Sequence, residues 1–284
     1  MLTLCTSSTR TPSDKAAEKK TAVVKNQPPS PLPKKDTSFT LSFRSVFDVK
    51  VVLKYPTRSN GKNILLLHGF NLPANQWCEK TTFCQQALDS GYTLILPDFN
   101  KTTYQYKFYT ETISKYKIYP TRGWMLDTLF PHLQKNFRVL LPDTTSFIAG
   151  ISTGGRGAVL VGSDRPAIFR ALASLSGDFD QTKMQGEPIY TGYYGPYNKF
   201  KNRWINEDNP MRMIATWTVP CFLAHGIKDK VSPASQTTMF HKELKKAKPL
   251  VQQQTFFPAA NGHDYIFWSL CTNPMLSFFY HVSH

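Results

Sequence analysis

Ser152 stands in the run Gly150-Ile151-Ser152-Thr153-Gly154, after the apolar stretch Phe147-Ile148-Ala149 and before the small residues Gly155-Arg156-Gly157-Ala158-Val159-Leu160-Val161. A serine between glycines on a sharp strand-to-helix turn projects its hydroxyl at the tip of a sheet, because the glycines let neighbouring backbones pass without side-chain clashes. The helix that follows presents free amides and the positive end of its dipole, which favours negative charge where an oxyanion would form. The same five residues also arise in loops, and a serine at a helix start can serve simply as a cap, so the pattern gains its meaning from partners elsewhere in the chain.

A serine hydroxyl attacks a carbonyl only when a base within hydrogen-bond reach takes its proton, and histidine, which titrates near neutrality, is suited to that task. Val219-Pro220-Cys221-Phe222-Leu223-Ala224 reads as a short buried strand, and Gly226-Ile227-Lys228-Asp229-Lys230-Val231 as the polar turn beyond it, which puts Asp229 just past a strand end. Gln254-Thr255-Phe256-Phe257-Pro258 reads as a last strand, followed by Asn261-Gly262-His263-Asp264 and an aromatic helix, so His263 fits the base. Asp229 would accept the second ring N–H, setting the tautomer and stabilising the imidazolium as it forms. Asp178, after Leu172-Ala173-Ser174-Leu175, is the competing acid.

An oxyanion needs donors as well. Ile64-Leu65-Leu66-Leu67 is an unbroken apolar run, as in a strand buried on both faces, and it ends at His68-Gly69-Phe70-Asn71. The amide of Phe70 is expected to point at the same carbonyl oxygen as the amide of Thr153, each contributing on the order of 3 kcal/mol to lowering the barrier. His68 is the alternative base; its structural role would be to brace this loop.

These residues need a set of strands whose ends meet. Phe39, Leu41 and Phe43, then Val49, Val51 and Leu53, recur at every second position, as in an antiparallel pair placed before the parallel strands. Residues 146–179, reading SFIAGISTGGRGAVLVGSDRPAIFRALASLSGDF, resemble the core of the α/β-hydrolase esterases that include S-formylglutathione hydrolase (esterase D), feruloyl esterases and mycolyltransferases. The likeness extends to residues 124–137, to Tyr194-Gly195-Pro196 and to Trp204, and spans roughly Ile64 to the C-terminal helix. It implies an α/β-hydrolase: a mostly parallel central sheet, an antiparallel N-terminal strand pair and helices on both faces. The chain order Ser152, Asp229, His263 is the order of that fold. By the same likeness these three carry over as a triad, with Phe70 and Thr153 as oxyanion donors. Many relatives have methionine where this chain has Thr153, so substrate preference transfers less well than mechanism.

The chain of 284 residues is the length of one such domain, expected over residues 38–284, and it has no run of about 20 apolar residues that could span a membrane. Residues 1–37 are Lys-, Pro- and Ser-rich and read as a disordered tether. Its start, Met1-Leu2-Thr3-Leu4-Cys5, leaves two locations open: the cytoplasm, or the bacterial envelope as a lipoprotein through Cys5 if the true start lies upstream. Cys78 and Cys84 fall on what reads as one helix, which turns them to different faces and argues against a bridge between them. Cys221 and Cys271 read as small buried hydrophobes.

A net charge of +15 attracts polyanions, yet no nucleic-acid module is evident and the lysines are scattered, so no nucleic-acid partner is expected. The aromatic and basic stretch from Tyr104 to Tyr119, Tyr109 within it, reads as a pocket wall or lid; His68, Trp124 and Tyr194 are the further candidates for contact with substrate. The glycines after Ser152 fit neither a phosphate-binding loop nor a dinucleotide fingerprint, and no His/Cys/Asp cluster has ligand spacing, so neither cofactor nor metal is expected. The reading is a serine carboxylic-ester hydrolase acting through an acyl-enzyme on a short or medium acyl ester or thioester, small or glycan-linked. An acyltransferase using the same residues and a non-catalytic acyl- or glycan-binding scaffold remain alternatives, and oligomeric state is open.

Overall fold

The computed structural model describes residues 35–43, 47–117 and 120–284. The tether expected over residues 1–37 lies, up to residue 34, outside the described residues, and so does Cys5. Strands β1 (Thr37–Phe43) and β2 (Phe47–Lys54) pair antiparallel, with Thr37 opposite Leu53 and Phe43 opposite Phe47. On β2, Val49, Val51 and Leu53 are buried while Asp48 and Lys50 are exposed, the alternation that a half-buried strand requires.

Strands β3 (Asn63–Leu67), β4 (Thr93–Pro97), β5 (Ser146–Ile151), β6 (Phe169–Leu175), β7 (Cys221–Ala224) and β8 (Gln253–Phe256) complete an eight-stranded sheet in the order β1-β2-β4-β3-β5-β6-β7-β8. β2 runs antiparallel to β4, and all pairs from β4 to β8 are parallel. The apolar runs of β3, β4 and β5 are buried at every position because helices cover both faces. Leu65, Leu67, Ile148, Leu172 and Leu223 pack with residues of the helices Phe130–Phe137, Thr153–Asp164 and Ser235–Ala247. Ile64, Leu66, Phe147, Ala173 and Phe222 pack on the other face with Phe83–Asp89 and the C-terminal helix Thr272–His281. Each fully buried leucine or isoleucine contributes about 1.5–3 kcal/mol relative to exposure, and together these layers hold the strand ends in fixed relation. No helix among the described residues is long and apolar enough to cross a membrane.

The strand order reverses at β3, which has β4 on one side and β5 on the other. At such a reversal the connections leave in opposite directions and open a crevice beyond the carboxyl ends of the strands. A smaller aromatic cluster of Tyr116, Met184, Tyr190, Tyr193, Tyr194 and Trp204 packs around Phe70, just past the end of β3.

One expectation is corrected. Cys78 and Cys84 form a disulfide, their Cα atoms 4.9 Å apart. The segment is two helices, Gln76–Glu79 and Phe83–Asp89, and not one. Between them the Thr81 hydroxyl donates to the carbonyl of Trp77 and accepts the amide of Phe83 at 3.2 Å, replacing helical bonds with side-chain bonds and turning the chain back on itself. The adjacent Trp77 is buried and its indole N–H donates to the carbonyl of Leu67, so this corner braces the end of β3.

Candidate active site

Ser152 follows β5 and precedes the helix Thr153–Asp164 with φ 56° and ψ −127°, a conformation that costs a non-glycine residue about 1–3 kcal/mol and that the surrounding packing must enforce. The glycines on either side are required by close approach. A Cβ on Gly150 would lie 1.9 Å from the carbonyl oxygen of Gly154, and one on Gly154 would lie 2.3 Å and 2.5 Å from the carbonyl oxygens of Leu67 and His68. The elbow is thereby pressed against the end of β3, where the loop to Phe70 begins.

The ends of β5, β7 and β8 bring three distant side chains together. His263 Nε2 lies 2.9 Å from Ser152 Oγ, and His263 Nδ1 lies 2.6 Å from Asp229 Oδ2. Asp229 Oδ1 accepts the amides of Val231 and Ser232, each at 2.8 Å. Burial alone would raise the Asp229 carboxyl; hydrogen bonds from His225 and His263, the charge of His263 and the Ser232 amide outweigh burial and hold it well below the ordinary carboxylate range. Asp229 is therefore an anion throughout the physiological range, with its charge directed at the imidazole. That arrangement can draw a proton from the serine and hold the resulting imidazolium.

Phe70 and Thr153 both line the cavity at Ser152. Thr153 is the first residue of its helix, where an amide has no intrahelical acceptor, and Asn71 turns the loop after Phe70 with φ 57°. The cavity has a volume of about 430 Å³, and Leu72, Met184, Ile189, Tyr190, Val231 and Trp268 give it mainly apolar walls.

The structure places the other expected substrate contacts outside the lining of this cavity. His68 is fully buried: its Nε2 accepts the Phe99 amide at 2.7 Å and its Nδ1 donates to the Gly69 carbonyl at 2.7 Å. Burial lowers the affinity of this imidazole for a second proton, against the opposing pull of the Gly69 carbonyl and of Asp98. It joins the ends of β3 and β4 and is not among the residues lining the cavity at Ser152. Trp124 is in the core, edge-on to Phe99. Tyr194 belongs to the aromatic cluster whose Met184 and Tyr190 line the cavity, Tyr109 packs against that cluster, and Tyr116 meets Phe70 edge-on at 5.6 Å; the described residues from Tyr104 to Lys117 are not among those lining the cavity at Ser152. Residues 118 and 119 of that stretch lie outside the described residues.

Asp178 does not reach His263. It lies at the end of β6, pairs with Arg156 at 3.2 Å and accepts the Tyr190 hydroxyl. Arg156, one helical turn after Ser152 and fully buried, also donates to the carbonyl of Thr103, to Gln181, to the Tyr194 hydroxyl and to the carbonyl of Asp208. This buried network fastens the elbow helix to the segments that carry the cavity wall.

The sequence reading passed over His225, which is buried at the end of β7 and touches Asp229 Oδ2 at 3.1 Å. The available signal was a histidine closing a buried strand four residues before the proposed acid.

A model of the prolyl oligopeptidase family matches residues 85–266, a stretch that includes the elbow, Asp229 and His263. The chain belongs to the prolyl oligopeptidase family. As a member it is a serine hydrolase, and solved structures of the same fold extend over its described domain. A ferulic acid esterase superposes with a TM-score of 0.64 at 17% identity, covering 87% of this chain and 98% of its own. S-formylglutathione hydrolase from Agrobacterium tumefaciens gives 0.66 at 14% identity over 87% and 94%. The acylaminoacyl peptidase of Pyrococcus horikoshii gives 0.62 at 14% identity over 88% of this chain and only 41% of the peptidase. No curated protein matches the chain by sequence. The fold is thus the α/β-hydrolase fold that the likeness at residues 146–179 implies.

Proposed function

We propose that this serine hydrolase cleaves carboxylic esters or thioesters with short or medium acyl groups through an acyl-enzyme on Ser152. His263 takes the Ser152 proton as Oγ bonds to the substrate carbonyl carbon, and the carbonyl oxygen becomes an oxyanion facing the amides of Phe70 and Thr153. His263 then gives the proton to the departing alkoxide or thiolate. In the second half a water repeats the attack on the acyl carbon, passes a proton to His263, and Ser152 leaves with that proton. Asp229 stays ionised throughout and orients the ring.

The observation that carries this reading is the continuous chain of contacts from Asp229 Oδ2 through His263 to Ser152 Oγ, at 2.6 Å and 2.9 Å, opening on an apolar cavity of about 430 Å³. Ester in preference to peptide is supported by two of the relatives that superpose on the chain, a ferulic acid esterase and an S-formylglutathione hydrolase. The test is covalent labelling with a fluorophosphonate followed by mapping of the adduct, together with hydrolysis of p-nitrophenyl esters of graded acyl length. Labelling is expected on Ser152, and Ser152→Ala is expected to lose up to about a million-fold in kcat. An adduct on another residue, or an active Ser152→Ala protein, overturns the reading.

A further inference from the structure

The relay from Asp229 to Ser152 leaves one histidine unexplained. His225 ends the apolar run of β7 and is fully buried. Its Nε2 lies 2.8 Å from the carbonyl oxygen of Ser232 and 3.1 Å from Asp229 Oδ2, the same oxygen that His263 Nδ1 meets at 2.6 Å. A carbonyl oxygen can only accept, so His225 Nε2 carries a proton and shares it between these two oxygens. Its Nδ1 is then the acceptor of the Thr237 hydroxyl at 2.7 Å. Thr237, also fully buried on the helix Ser235–Ala247, fixes the ring from the opposite side. The charged or titratable groups facing His225 are Asp229 and, across it, His263; its other two partners are neutral.

We propose that His225 is a positioning residue for the ester hydrolysis described above: by donating Nε2–H to Asp229 Oδ2 it holds the carboxylate toward His263 and tempers the negative charge that His263 meets. The inference rests on that reading of the site. Asp229 Oδ1 is held by two amides of its own loop, whereas Oδ2, among the described residues, is held by two imidazoles. Without His225 the carboxylate can swing about its anchored oxygen, and the Ser232 carbonyl, which belongs to the same loop, loses its partner. A residue that merely filled space there would leave the ionisation of the base untouched; a donor to the shared oxygen does not.

The test compares His225→Leu, which removes the donor, with His225→Gln, which returns an N–H at similar reach, using p-nitrophenyl acetate. In His225→Leu, kcat is expected to fall about 10–100-fold with KM nearly unchanged, the size typical of losing a partner that orients a functional side chain. The acid limb of its kcat/KM profile is expected to move to higher pH, because a less compensated Asp229 favours the protonated ring of His263. His225→Gln should recover most of kcat and return the limb toward its original place. If His225→Leu fails to fold, Thr237→Val, which frees the ring on its other side, should shift the limb in the same direction by a smaller amount. Wild-type kcat and an unmoved limb in a folded His225→Leu protein overturn the proposal, as do equal losses in the Leu and Gln variants with no change in the profile. Fluorophosphonate labelling of the unsubstituted protein keeps the two readings apart: no label on Ser152 ends the proposed hydrolysis and this role with it, whereas normal labelling with indifferent His225 variants ends this role alone.

Discussion

Replacing Gly154 by alanine adds one methyl group at the place where the elbow helix and the end of β3 press hardest against each other. The added carbon would stand 2.3 Å from the Leu67 carbonyl oxygen and 2.5 Å from that of His68, whereas ordinary contact begins near 3.4 Å, and both obstacles are backbone. The two segments must therefore part by about 1 Å, separating Ser152 from the loop that carries Phe70. A displacement of that size in a reacting group costs about a hundredfold in rate. Overpacking of this kind also destabilises by about 1–3 kcal/mol, which for a domain of this size lowers Tm by about 2–12 °C. The assay is kcat/KM for p-nitrophenyl acetate beside a thermal melt, with Gly186→Ala as the control, since a Cβ there meets nothing within 4 Å. The expected result is a large fall in kcat/KM and a lowered Tm for Gly154→Ala, with neither for Gly186→Ala. If Gly154→Ala melts and turns over like the unsubstituted protein, the close approach does not govern the site and the argument fails.

Asp229→Asn is expected to lower kcat about 10⁴-fold while leaving the fold in place, because the ring of His263 then rests in the wrong tautomer. Asp178→Asn should do the opposite: turnover persists, but denaturant unfolding shows a loss of about 3 kcal/mol because buried Arg156 keeps less compensation; the reverse pattern would make Asp178 the acid. Removing the Cys78–Cys84 bridge, with its sequence separation of 6, should cost about 2 kcal/mol and lower Tm by about 4–8 °C, in a double serine variant or under reductant; an unchanged melt would show that the corner is held by Trp77 and Thr81 alone.

Much of this architecture was legible in the residues because its signals are local. The alternation through Val49, Val51 and Leu53 marks a strand with one buried face, and the unbroken run from Ile64 to Leu67 marks one buried on both. Ser152, Asp229 and His263, which the structure brings within hydrogen-bond reach, are each announced by a strand that ends in a polar turn. What was missed depends on non-local or side-chain geometry. The break between Glu79 and Phe83 carries no glycine or proline and rests on the Thr81 hydroxyl, so the segment reads as one helix and the two cysteines fall on different faces. Trp124 and Tyr194 have the size and chemistry of ligand contacts, and only the packing decides that they lie behind the wall. His225 is hidden within an apolar run whose meaning changes once Asp229 is known to fold back against it.

The guanidinium buried beneath Ser152 has a practical bearing on redesign. Its acceptors come from positions 103, 178, 181, 194 and 208, so this cation wires the segments around the cavity to the elbow helix. Grafting foreign segments there to admit larger substrates would strand that cation in the interior unless its acceptors travelled with the graft. Reshaping by exchange of Met184, Ile189 or Val231, which none of those bonds involves, leaves the wiring intact.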